Sequence, residues 1–205
     1  MKDSKYSYTR MICGGVVAGA LIACAAAAST LAAASFPFLK ALIFPFGLLL
    51  ICYGKFELFT GNIYKIGRND TFSTDDKLGL LTVNYIGNLL GAFLVSRLLK
   101  VPVEAMFLGK IALGAWQIFL LAIACNFLVC LGVKLFTKSP IATYLAVALF
   151  VACGFEHSIA DMYYFFCLPF SPLYAIGAIS VLVVVTTGNI IGGWLVVKLE
   201  RILEV

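Results

Sequence analysis

Apolar residues in this chain come in long uncharged runs separated by short charged segments. They follow neither the alternation of a half-exposed strand nor the stripe of a surface helix. A helix that crosses the hydrocarbon core of a bilayer needs about 20 such residues. The runs predict six spans: Met11 to Ala34; Phe36 to Gly54, resuming over Leu58 to Tyr64; Leu78 to Leu99; Met106 to Val133; Pro140 to Leu168; and Leu173 to Val197. Lys55 and Glu57 interrupt the second span, and Glu156, His157 and Asp161 interrupt the fifth. The first run continues without charge to Leu39, too long for the apolar core of a signal peptide, so it reads as a membrane helix.

Composition agrees with this pattern. Hydrophobic residues make up 62% of 205, and mean hydropathy is +1.04, more apolar surface than an aqueous fold of this size could bury. The net charge of +5 is spread through short loops and forms no basic stripe, which argues against nucleic acid as a partner. Lys2, Lys5, Arg10, Lys65, Arg68, Lys77, Lys134, Lys138, Lys198 and Arg201 fall on one side of the predicted topology, against Lys40, Arg97 and Lys100 on the other. The excess places both termini in the cytoplasm of a multi-pass protein of the cell (inner or plasma) membrane. The seven cysteines lie mostly inside apolar runs, with no CxxC and no metal-ligand spacing, so they read as packing residues and no metal or cofactor is expected.

The two halves of the chain echo one another. Gly87-Asn88-Leu89-Leu90-Gly91 in the third span is matched by Gly188-Asn189-Ile190-Ile191-Gly192 in the sixth, and Phe56-Glu57-Leu58 by Phe155-Glu156-His157. Glu57 precedes Asn88 by 31 residues and Glu156 precedes Asn189 by 33. Three spans per unit would set the copies in opposite orientations, an inverted 3+3 repeat over about 1–100 and 101–205 within one channel domain spanning 1–205. Broken helices in such a repeat meet near the midplane, and irregular backbone survives there only when buried in protein or lining a cavity. The expected fold is an all-α membrane protein with broken second and fifth helices and a pathway where the breaks converge.

These residues resemble the formate/nitrite transporter family over nearly the whole chain. Leu58-Phe59-Thr60-Gly61-Asn62 resembles the family's omega-loop motif, and Gly154-Phe155-Glu156-His157-Ser158-Ile159-Ala160 its fifth-helix signature. Gly188-Asn189-Ile190-Ile191-Gly192-Gly193 matches the sixth-helix motif, and Cys125-Asn126-Phe127-Leu128-Val129-Cys130-Leu131 resembles the fourth helix. The resemblance implies an aquaporin-like protomer with its own pore, assembled as a homopentamer. It also implies passage of a small monovalent anion or its conjugate acid, formate first, with nitrite, hydrosulfide, acetate and lactate as further candidates. Two positions depart from the family pattern: Asp161 stands where Asn is usual, and Lys55 where a small residue is usual.

His157, the single histidine, sits at the fifth-span break, where transient protonation of a weak-acid anion would ease its passage through low dielectric. Lys110 aligns with the family's buried lysine and would draw anions toward an apolar vestibule. Thr60 aligns with the threonine that the family sets opposite the histidine. Phe44, Leu48, Leu58, Phe59 and Phe150 align with its apolar constrictions, which select by stripping water. Glu57 and Glu156, with Asn88 and Asn189, are expected to form a scaffold in which the carboxylates accept the N–H groups freed at each break. Asp161, four residues after His157, would either orient or charge the imidazole or pair with Lys55.

The alternative within transport is a neutral-solute pore of aquaglyceroporin type, but the paired Asn-Pro-Ala motifs of that family are missing. An enzyme is not expected, because the sequence has no GxSxG turn and no HExxH helix.

Overall fold

A computed structural model describes residues 7–203, so the expected cytoplasmic charges Lys2 and Lys5 lie outside the described residues. These residues form ten helices: α1 (Tyr8–Ala33), α2 (Leu39–Ile43), α3 (Pro45–Gly54), α4 (Phe59–Gly67), α5 (Thr74–Leu98), α6 (Glu104–Leu113), α7 (Ala115–Leu135), α8 (Pro140–Ala152), α9 (Ser158–Cys167) and α10 (Pro172–Leu203). Polar side chains start several of them. Ser7, Ser73 and Ser139 accept the backbone N–H three residues on, and Pro140 and Pro172 occupy first-turn positions where a missing N–H costs nothing.

Four helices, α1, α5, α7 and α10, are long and apolar enough to cross a membrane. The bent series α2–α3 and α4, turning by 47° at its break, makes a fifth candidate. The predicted fourth span, Met106 to Val133, is not one helix. Gly114, at φ 79°, separates α6 from α7, a conformation that a side chain would oppose. The predicted fifth span is two helices, and its first part, α8, has only 13 residues.

The most extensive packing is pairwise, α1 along α5 and α7 along α10. In lipid there is no hydrophobic force between apolar helices, so close approach through small residues supplies the attraction. Gly87 and Gly91 on α5 lie against the backbone of α1, and Gly188 and Gly192 on α10 lie against that of α7. A Cβ on Gly91 would stand 2.0 Å from the Val16 carbonyl oxygen, and one on Gly192 would stand 2.1 Å from that of Ile123. The two Gly-x-x-x-Gly segments that mark the sequence repeat therefore make the same kind of contact in each half.

Gly91→Ala and Gly192→Ala should each lower stability by about 1–3 kcal/mol through forced separation of the helix backbones. Gly109→Ala, where an added Cβ meets nothing within 4 Å, should be neutral or mildly stabilising. Thermal unfolding in detergent compares the three, and equal midpoints would contradict the packing account.

Candidate functional site

Both interruptions are built alike. After α3 the chain turns at Lys55 in the left-handed region (φ 54°), Leu58 is extended, and α4 begins at Phe59. After α8 it turns at Gly154 (φ 67°), His157 is extended, and α9 begins at Ser158. Each restart frees backbone groups inside a buried region, and an asparagine from a neighbouring long helix satisfies them. Asn88 Oδ1 accepts the Phe59 N–H at 2.8 Å, while its Nδ2 donates to the carbonyls of Gly15 (2.8 Å) and Glu57 (3.0 Å). Asn189 Oδ1 accepts the Ser158 N–H at 2.9 Å, while its Nδ2 donates to the carbonyls of Ala122 (2.8 Å) and Glu156 (2.9 Å). Both asparagines are fully buried.

This geometry corrects the role expected of the glutamates. Their backbone carbonyls join the break network, but their carboxylates do not accept the freed N–H groups of the restarting helices. The Glu57 carboxylate takes Arg10 Nε at 2.7 Å and Asn62 Nδ2 at 3.0 Å, and the Glu156 carboxylate takes Lys110 Nζ. Asn62 also donates to Asn84 Oδ1 (2.8 Å), and Asn84 donates to the Glu57 carbonyl (2.6 Å). Sequence reasoning missed Arg10, Asn62 and Asn84. Asn84 lies one turn before Asn88 on α5, a spacing that signals a shared face.

The two restarts meet at their first turns. His157 Nε2 lies 3.0 Å from Thr60 Oγ1, and His157 Nδ1 accepts the Ala160 N–H at 3.3 Å, capping α9. Because Nδ1 uses its lone pair on that N–H, the ring proton of the neutral imidazole sits on Nε2 and points to the threonine oxygen. Phe150 stacks on the imidazole (5.9 Å between centroids, 12° between planes), and Phe44 meets it edge-on at 6.4 Å. Leu48, Leu58 and Phe59 are buried in the same apolar cluster, and the Phe59 ring packs edge-on against Tyr85 at 4.9 Å.

A cavity of about 270 Å³ reaches this group. Phe44, Phe150 and His157 line it, together with Lys40, Lys110, Glu156 and Asp161. Lys110 Nζ bonds both Glu156 Oε2 and Asp161 Oδ1, with the lysine side chain 11% exposed and that of Asp161 1%. Both sequence expectations for Asp161 are therefore corrected: its carboxylate is held by Lys110 and neither orients His157 nor pairs with Lys55. The Lys110 ammonium, expected to attract anions, is bonded to two carboxylates. Lys55 lines a separate cavity of about 300 Å³ with Arg10, Glu57 and Lys65. Three cations there face one carboxylate, against two and two in the His157 cavity.

The chain matches the family model described as formate/nitrite transporter over residues 1–202. Among its relatives, the Bacillus subtilis (strain 168) transporter YwcJ is 33% identical over 177 residues, covering 75% of this chain and 69% of that protein. A probable formate transporter of Methanothermobacter thermautotrophicus is 30% identical over 192 residues, with 74% and 69% covered. The chain thus spans about two thirds of the length of these curated relatives. Among solved structures, a pentameric formate channel with formate bound superposes with a TM-score of 0.75 at 25% identity, covering 98% of each chain.

Replacing either asparagine by leucine, close in size but without hydrogen-bonding groups, strands the N–H of the restarting helix. Asn84 still reaches the Glu57 carbonyl in Asn88→Leu, whereas Asn189→Leu also leaves the Glu156 carbonyl without its donor, so at about 1–3 kcal/mol per unsatisfied buried group the second should cost more. The loss should appear as a lowered melting midpoint in detergent, larger for Asn189→Leu. An undisturbed midpoint in either variant would show that its break is held by other contacts.

Proposed function

The chain belongs to the formate/nitrite transporter family, and from that premise we propose that it forms a transmembrane channel for a small monovalent anion or its conjugate weak acid, with formate the leading substrate. Nitrite, hydrosulfide, acetate and lactate are likewise small and monovalent, differ in size, and define the panel to be compared. The carrying observation is the contact of His157 with Thr60 where α4 and α9 restart, directly against the Phe44 and Phe150 rings. A permeant leaving the cavity meets apolar rings that cannot replace its hydration, so an anion is opposed more strongly than its neutral acid. The imidazole beside them is the group able to exchange a proton with the permeant at that point.

In this reading α2–α3 with α4, and α8 with α9, each form one broken span, giving six spans in an inverted 3+3 repeat within a single channel domain. The matched asparagine networks support the duplication. Lys65, Arg68, Lys77, Lys134 and Lys138, together with both termini, face the cytoplasm of the cell membrane. The protomers assemble as a homopentamer, each with its own pore, a reading supported by the likeness to a pentameric formate channel. Family membership favours this function over a neutral-solute pore.

Purified protein in liposomes should pass formate faster than protein-free liposomes, and a competition panel of the five anions at two pH values ranks the substrates. His157→Asn should remove or reshape the pH dependence of formate flux between about pH 5 and 8. An unaltered profile would remove the imidazole from the mechanism. Native mass spectrometry should give five copies, and a stable monomer or dimer would refute the assembly.

A further inference from the structure

The His157 cavity contains two lysines in different situations. Lys110 Nζ is bonded to both Glu156 and Asp161, so the three groups together carry one formal negative charge and offer an arriving anion no unshared cation. Asp161 completes this arrangement, and the usual Asn of the family at that position would leave Lys110 paired to Glu156 alone. Lys40 also lines the cavity but forms no ion pair and no side-chain hydrogen bond among the described residues. It is half-buried on α2, one turn before Phe44, whose backbone N–H bonds the Lys40 carbonyl at 3.2 Å. Residues four apart share a helix face, and Lys40 lines the same cavity as Phe44, the ring that meets His157 edge-on.

The geometry points to Lys40 as the anion-receiving residue of this cavity, a task that Asp161 has taken from Lys110 by neutralising it. The ligand class is the small monovalent anion of the proposed channel, held at the cavity mouth before it reaches the aromatic layer. An unshared ammonium in a partly enclosed cavity raises the local anion concentration, and salt screens the effect. This inference rests on the channel reading and adds to it a specific cation and a specific reason for its use.

Formate flux into liposomes, measured against formate concentration at low ionic strength, tests it. Lys40→Gln should raise the half-saturating concentration about tenfold, within the range of electrostatic focusing, with little change in maximal flux. The increase should shrink in high salt, and Lys40→Arg should stay close to the parent protein. Asp161→Asn should lower the half-saturating concentration by releasing Lys110 from one carboxylate. The Lys40→Gln effect should be smaller in that background than alone, an interaction that a merely structural role for Lys40 would not produce. If the parent protein conducts and Lys40→Gln has the same half-saturation, or loses as much in the Asp161→Asn background as alone, the assignment to Lys40 is wrong while the channel stands. If the parent protein conducts none of the five anions, the channel reading falls and the inference falls with it; if it conducts another of them in place of formate, the same half-saturation comparison is made with that anion.

Discussion

A helix that stops and restarts away from water leaves backbone N–H and carbonyl groups without partners, and the cost of leaving them so constrains everything else in this fold. An amide side chain is well suited to the task, because it both donates and accepts and carries no charge. Asn88 and Asn189 each spend one oxygen on a restarting N–H and one NH₂ on two carbonyls. To do so they must reach the break from a neighbouring helix, which requires α5 to lie tightly on α1 and α10 on α7. The glycines flanking each asparagine provide that closeness. Satisfaction of the break and packing of the long helices are therefore one arrangement, and the His157–Thr60 contact lies at its centre.

The ionisable groups are sorted by this frame. Glu57 and Glu156 occupy matching places in the two breaks, and each carboxylate is met by a cation from elsewhere, Arg10 in one case and Lys110 in the other. Beyond that the halves diverge. Asp161 adds a second carboxylate at Lys110, while Lys55 and Lys65 add cations near Glu57. The repeat thus fixes backbone geometry, and charge is free to differ around it.

Much of this was legible in the sequence. The Gly-Asn-x-x-Gly repeats and the glutamates at matched offsets marked both breaks and the asparagines that hold them, because the chemistry of a buried break demands a particular residue type at a particular place. Phe44 and Phe150 could be set beside His157 only through the family resemblance, since apolar residues on membrane helices carry no local signal of what they face. The partner of Asp161 is not legible in the sequence for a related reason. Helical spacing relates residues within one element, whereas Lys110 approaches from α6, which ends at Gly114 within a run that hydropathy reads as continuous. Hydropathy averages over a window and does not register a single glycine at positive φ. Lys40 was legible only as a loop charge, because its isolation depends on where the carboxylates across the cavity have gone.

The left-handed turns that end α3 and α8 deserve comparison with each other. At the second a glycine occupies the turn at no steric cost, but at the first Lys55 holds a conformation that disfavours any side chain by about 1–2 kcal/mol. A fold able to place glycine at one copy of a turn could place it at both. Retaining lysine at the first copy sacrifices some stability, and the side chain kept there stands on the wall of the cavity already lined by Arg10 and Lys65. The two copies of a duplicated backbone are thereby made chemically unlike: one fold, repeated, carries a cation-rich hollow beside its first turn and a charge-balanced one beside its second.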